Sequence, residues 1–363
     1  MKIAMLFPGY GSQFVGMGKE LYDESRIMQE HFEQASNCLD INFIKLCFAS
    51  SDLELAKMSN AYAAIFLVST SIYKILQEDE GITPDIVTGY NIGGVAAICA
   101  AGGLSFVDGL YMINKYAAFY QELLSSLDVS LIKVSGIKGD TLKEICEQYS
   151  THDSFARIAV YVKEDVQIVA GNSTIIEQVE TAAQKHKAKV ENYGVEIGLH
   201  NSLMKPVSDY VKLYFEKVDF KDTKIPFLNT IEVQTMTSGQ TLRAAVLEHI
   251  TSPLKWHQSL EYLHDYDLFV QIGPGTAVSK MVQQMYPEKR VISINKQKDI
   301  DELVKIVTHS SGSGQAHSSG SPRKGRDAAG QAHSSPRKLP SESGRSEAQQ
   351  GQDSDGEESE SSE

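Results

Sequence analysis

Arginine is scarce along most of this chain: between residues 1 and 306 only Arg26, Arg157, Arg243 and Arg290 occur. Arginine is the side chain whose planar fork holds a carboxylate with two parallel hydrogen bonds, so a carboxylate clamp has few candidates here. Cysteine is sparse as well. Cys38, Cys47, Cys99 and Cys146 show no Cys-x-x-Cys spacing, which argues against a disulfide framework or a zinc site and for buried free thiols. No metal or other cofactor is expected. No apolar run approaches the ~20 residues of a membrane-spanning helix. The opening Lys2-Ile3-Ala4-Met5-Leu6-Phe7 is interrupted by Pro8-Gly9 too soon for a secretory leader. A cytoplasmic location without membrane contact is therefore the expectation. A positive excess is also missing: the net charge is −13, which argues against nucleic acid as the main ligand.

What is present is a chain of 363 residues, 42% hydrophobic, whose portion before about residue 307 is ample for a large core. Beyond that point Ser, Gly, Gln, Pro, Lys, Arg and Glu dominate, a composition that cannot offset the entropy of ordering. Gly-Gln-Ala-His-Ser-Ser occurs at 314–319 and again at 330–335, and the segment ends acidic. No aromatic residues interleave its basic repeats, which disfavours base recognition. Residues 307–363 are thus expected to form a disordered tail.

In the body, strand and helix patterns alternate. Residues 129–136 read as a strand, 140–149 as a helix, 156–163 and 166–170 as strands, 175–187 as a helix opened by a Thr174-x-x-Glu177 capping box, and 189–195 as a last strand. That βαββαβ order is the ferredoxin-like arrangement. The densest chemical signal is Gly89-Tyr90-Asn91-Ile92-Gly93, between a short buried strand at 84–88 and a small-residue helix at 94–101. Strand, Gly-x-X-x-Gly turn and helix make up a nucleophile elbow. Its central residue is an amide, and because Asn tolerates positive φ, a purely structural turn is the competing reading.

Three further segments fall in order along the chain: Phe7-Pro8-Gly9-Tyr10-Gly11-Ser12-Gln13, then Leu199-His200-Asn201-Ser202-Leu203-Met204-Lys205-Pro206, then Ser252-Pro253-Leu254-Lys255-Trp256 followed by Val270-Gln271-Ile272-Gly273-Pro274-Gly275. Together with the elbow they resemble the malonyl-CoA:acyl carrier protein transacylases and the acyltransferase domains of polyketide synthases, from about residue 1 to about 306. The resemblance implies an α/β fold. A hydrolase-like large subdomain with a mainly parallel sheet would take residues 1–125 and 196–306, and a small ferredoxin-like α+β subdomain 126–195. It also implies transfer of an acyl group from acyl-CoA, through a serine ester, to the phosphopantetheine thiol of an acyl carrier protein in fatty acid or polyketide synthesis.

Carried onto this sequence, the resemblance puts Asn91 at the nucleophile position and His200 at the general base. The backbone N–H groups of Tyr10 and Ile92 would form the oxyanion hole. His249 would orient His200 through its backbone carbonyl, and Tyr116 stands where an arginine holds the malonyl carboxylate. The chain departs from the family pattern at several of these places. A carboxamide nitrogen has its lone pair delocalised and is not a nucleophile, and loss of a triad serine costs on the order of 10⁶ in turnover. Lys115, one helical step of ~100° from Tyr116, should point elsewhere, so any acyl group bound here is expected to be uncharged. Two readings result. One is an acyltransferase with reduced or no transfer activity, or a weak thioesterase in which His200 activates water. The other is a non-catalytic protein that binds acyl carrier protein, with Lys205, Lys255 and Lys280 as candidate contacts near the closing motifs.

Overall fold

The computed structural model describes residues 1–311. Two sheets organise it. The larger has the order β10-β9-β1-β2-β7-β8, formed by β1 (Ile3–Phe7), β2 (Ile86–Gly89), β7 (Phe227–Asn229), β8 (Gln234–Met236), β9 (Leu268–Ile272) and β10 (Arg290–Ile294). Five of these strands run parallel, and β8 pairs antiparallel with β7 at one edge. Every residue of β1, β2 and β9 is buried, as strands covered on both faces must be. Helix Met58–Glu78 packs on the sheet and is buried almost continuously from Ala61 to Leu76.

The smaller sheet is fully antiparallel, in the order β4-β5-β3-β6, from β3 (Val129–Ser135), β4 (Ala156–Lys163), β5 (Val166–Asn172) and β6 (Lys189–Tyr193). Helices Gly139–Tyr149 and Ser173–Lys185 pack on it around their own core of Ile132, Val134, Leu142, Ile145, Val169 and Val179. This strand order is the ferredoxin-like one. Tyr161 N–H donates to the Leu254 carbonyl at 2.8 Å and Leu254 N–H to that of Ala159 at 2.9 Å, joining the small sheet to the segment after helix Gly239–Thr251.

Three local expectations are corrected. The Thr174 capping box does not form: helix Ser173–Lys185 starts two residues earlier than expected and Asn172 occupies its N-cap without a capping bond. The Asn172 carboxamide oxygen is taken by the Phe155 N–H at 2.9 Å, a pairing across the sheet that local sequence does not announce. The helix also stops at Lys185, with Lys187 in the left-handed region at φ 64°, and β6 ends at Tyr193, before a short 3₁₀ turn Val195–Ile197. Finally, the last helix spans Gln297–Ser311, past the change of composition at 307. Ile300 and Leu303 are buried in the core, and Ile306 and Val307 pack against it, so apolar contacts carry the helix beyond the point where composition shifts. The remainder of the expected tail lies outside the described residues. Among those described, no helix is long and apolar enough to cross a membrane.

Candidate active site

The elbow is built by backbone crowding. Strand β2 ends at Gly89, Tyr90 N–H donates to the Phe7 carbonyl at 2.9 Å, and the next helix starts at Gly93. A Cβ on Gly89 would collide with the Gly93 backbone, and one on Gly93 with the Phe7 carbonyl. Between them Asn91 adopts φ 55°, a conformation asparagine accepts more readily than most residues. The turn lifts its side chain above the C-terminal edge of the parallel sheet, yet Asn91 is only 2% exposed.

The Asn91 carboxamide is saturated. Its Nδ2 donates to the Ile197 carbonyl and to His200 Nε2, the latter at 3.1 Å, while its Oδ1 accepts the Ile92 N–H. The partners dictate this orientation. His200 Nδ1 faces the His249 backbone carbonyl at 2.9 Å and must carry the proton to bond it, which leaves Nε2 as a bare acceptor in the neutral ring. Burial pushes His200 down to about 4, offset only in part by the His249 and Ile197 carbonyls, so the ring is neutral at pH 7. The two N–H donors expected to make an oxyanion hole are therefore unequal. The Ile92 N–H is occupied by its neighbour's own side chain. Tyr10 sits in the turn after β1 with its hydroxyl donating to the Ala56 carbonyl at 2.9 Å.

A tyrosine stack that the sequence did not signal holds the opposing wall. Tyr10, Tyr62, Tyr116 and Tyr120 follow one another at ring separations of 5.9 Å. Tyr120 donates to the Val195 carbonyl and Tyr62 to that of Glu196. With Asn91 on Ile197, three consecutive carbonyls before His200 each receive a side-chain donor. His200 itself has φ 46°, and the pinned turn sets its ring over the elbow. Burial pushes the thiols of Cys47, Cys99 and Cys146 up to about 12 and raises that of Cys38, which disfavours a thiolate at neutral pH.

On the other side of Asn91 lies a cavity of about 40 Å³ lined by Ile98, Met112, Tyr116, Phe227, Asn229 and His249 among others, with no lysine or arginine in its wall. Tyr116 thus faces the same space as Asn91 and brings no charge to it. Lys115 points away, its ammonium 5.5 Å from the ring centres of Tyr111 and Tyr214. Of the three lysines singled out near the closing motifs, Lys205 is engaged by Asp209.

The acyl transferase domain model matches residues 4–321. The chain belongs to the acyl transferase domain family. Among its relatives, the malonyl CoA-acyl carrier protein transacylase of Bacillus subtilis (strain 168) is 28% identical over 310 residues, covering 84% of this chain and 97% of that one. The same fold is seen in the malonyl CoA-acyl carrier protein transacylase from Coxiella burnetii, with a TM-score of 0.81 at 22% identity, covering 85% of this chain and 98% of the other. It is seen again in a type II polyketide synthase acyl carrier protein complex with its malonyl-transacylase, with a TM-score of 0.80 at 21% identity, covering 84% and 100%. Around Asn91, His200 is held through Nδ1 by the His249 carbonyl, and the amide between His200 and Ile197 can only donate and accept hydrogen bonds.

Proposed function

We propose that this acyl transferase retains the cleft for an acyl-pantetheine thioester, delivered as acyl-CoA or on an acyl carrier protein, and does not transfer the acyl group at a useful rate. One observation carries this reading: the Asn91 amide bridges Ile197, His200 and the Ile92 N–H. Acyl transfer through an ester needs a hydroxyl, a free base lone pair and fixed oxyanion donors. Asn91 removes the first, caps the second and fills one of the third. The lost arginine at Tyr116 extends the argument to malonyl recognition, since a carboxylate entering the apolar cavity would be desolvated without a partner.

The named relatives act on malonyl-CoA and acyl carrier protein, and that kinship supports an acyl carrier protein as partner rather than nucleic acid or membrane. It also supports a cytoplasmic setting and a division into a large subdomain (1–125 with 196–306), a small one (126–195) and a tail. Weak thioester hydrolysis through His200 is disfavoured because its Nε2 already accepts from Asn91.

Intact-mass spectrometry of the protein mixed with acetyl-CoA or malonyl-CoA, beside Asn91→Ser and with CoA release followed in parallel, tests the reading. No adduct and no CoA release in the wild type, with an acyl adduct in Asn91→Ser, is the expected result. A denaturation-stable adduct or steady CoA release by the wild type overturns it.

A further inference from the structure

Two residues that line the cavity beside Asn91 each carry a buried side-chain nitrogen with no partner. Asn229, at the C-terminal end of β7 and 3% exposed, uses its Oδ1 to accept the Ile231 N–H at 2.9 Å, while its Nδ2 is buried and unbonded. His249 uses its backbone carbonyl to hold His200, while its ring Nε2 is buried and unbonded. Both residues line the same small cavity, whose other walls are chiefly Ile98, Met112, Phe215 and Phe227. Strand β7 lies beside β2 in the parallel sheet, so Asn229 and the Asn91 elbow stand at the carboxyl ends of neighbouring strands, the place where open α/β sheets take ligands.

Leaving a buried donor unpaired is costly, and buried polar groups in native proteins are almost always satisfied. An amide nitrogen only donates, and a neutral imidazole with its proton on Nε2 donates as well. The Asn229 nitrogen therefore calls for an acceptor oxygen, and His249 joins it in the tautomer that carries the proton on Nε2. The volume, about 40 Å³, is well below the ~150 Å³ that holds a benzene ring, so that oxygen must sit on a short chain. A carboxylate is excluded by the absence of any cation in the wall and by the cost of desolvating it.

We infer that the cavity selects a short, uncharged acyl group that carries a second acceptor oxygen besides the thioester carbonyl, as a keto acyl chain does, read by Asn229 Nδ2 and by His249 Nε2 when it carries the ring proton. The inference rests on the reading that the cleft takes acyl thioesters. A water seated between the two donors is replaced without loss only by a group that offers the same acceptor. An acyl chain ending in methylenes would leave both donors stranded.

Acetoacetyl, butyryl and malonyl thioesters of CoA are close in size and differ in the groups at issue: keto oxygen, methylene and carboxylate. Calorimetric titration of the full chain at pH 7.5 with these three and with CoA itself is the test. Acetoacetyl-CoA is expected to bind about tenfold tighter than butyryl-CoA, and malonyl-CoA no tighter than CoA. His249→Phe keeps the ring volume and the backbone carbonyl that holds His200, and Asn229→Ala removes the amide; each is expected to erase the keto preference, bringing acetoacetyl-CoA to the affinity of butyryl-CoA in the same variant, with thermal melting as the control for folding. Equal affinity for the keto and methylene compounds overturns the inference. So does tightest binding of malonyl-CoA, or a keto preference that survives both substitutions. Failure of CoA and all three thioesters to bind overturns instead the reading on which the inference rests.

Discussion

The two sides of Asn91 are built on opposite principles. Between Asn91 and His200 the polar groups are bonded: amide, imidazole, three successive carbonyls and the Ile92 N–H form a closed network. Toward the cavity an amide nitrogen and a ring nitrogen are left open among apolar side chains. Fully satisfied buried networks rigidify and specify one arrangement, whereas unsatisfied groups store free energy that a ligand can release. On the function proposed above, the difference separates a side closed to reaction from a side left open to binding.

The comparison is broken most directly by Asn91→Ser, which restores a hydroxyl beside His200 Nε2 and frees the Ile92 N–H. CoA release from acetyl-CoA should rise by on the order of 10³-fold or more, given what triad members contribute; stopped-time thiol assays read it. Asn91→Leu tests the closed side as structure. It strands the Ile197 carbonyl, the His200 lone pair and the Ile92 N–H in a left-handed turn, and should lower unfolding stability by about 3 kcal/mol in denaturant titration.

Acid acts next. Burial holds His31 and His200 down at about 4, while both titrate near 6.5 when unfolded. Between those values the unfolded chain binds more protons. Stability is therefore intact above pH 6.5 and falls as pH drops toward 4, by on the order of 2 kcal/mol per histidine at pH 5. Melts at pH 7.5 and 5 measure this. The smallest effect belongs to the open side: His249→Phe removes an unpaired nitrogen, so stability should hold or rise by up to ~1 kcal/mol, in contrast with the loss at Asn91.

Much of this architecture was legible in the residues. Alternating patterns gave the ferredoxin-like βαββαβ unit, and the strand–turn–helix around Asn91 was placed to within a residue or two. The capping box at Thr174 was not legible as an error, because Asn172 was drawn to Phe155 across the sheet, a contact 17 positions away. Tyr62, Tyr120 and Asn229 could not be singled out either. Tyr62 is one aromatic in an apolar helix, and its hydroxyl matters only because Glu196, 134 positions on, offers a carbonyl.

By itself the amino-acid sequence determined the periods of strand and helix, the glycines that let the elbow turn, and the chemical fact that residue 91 has no nucleophilic atom. These are local properties of side chains and backbone. Only the tertiary structure decided that the Asn91 amide would fill the space between His200, Ile197 and the Ile92 N–H, and that Asn229 and His249 would be left unpaired in one cavity. Hydrogen-bond saturation depends on which distant groups packing brings within about 3 Å, and no single stretch of chain carries that information.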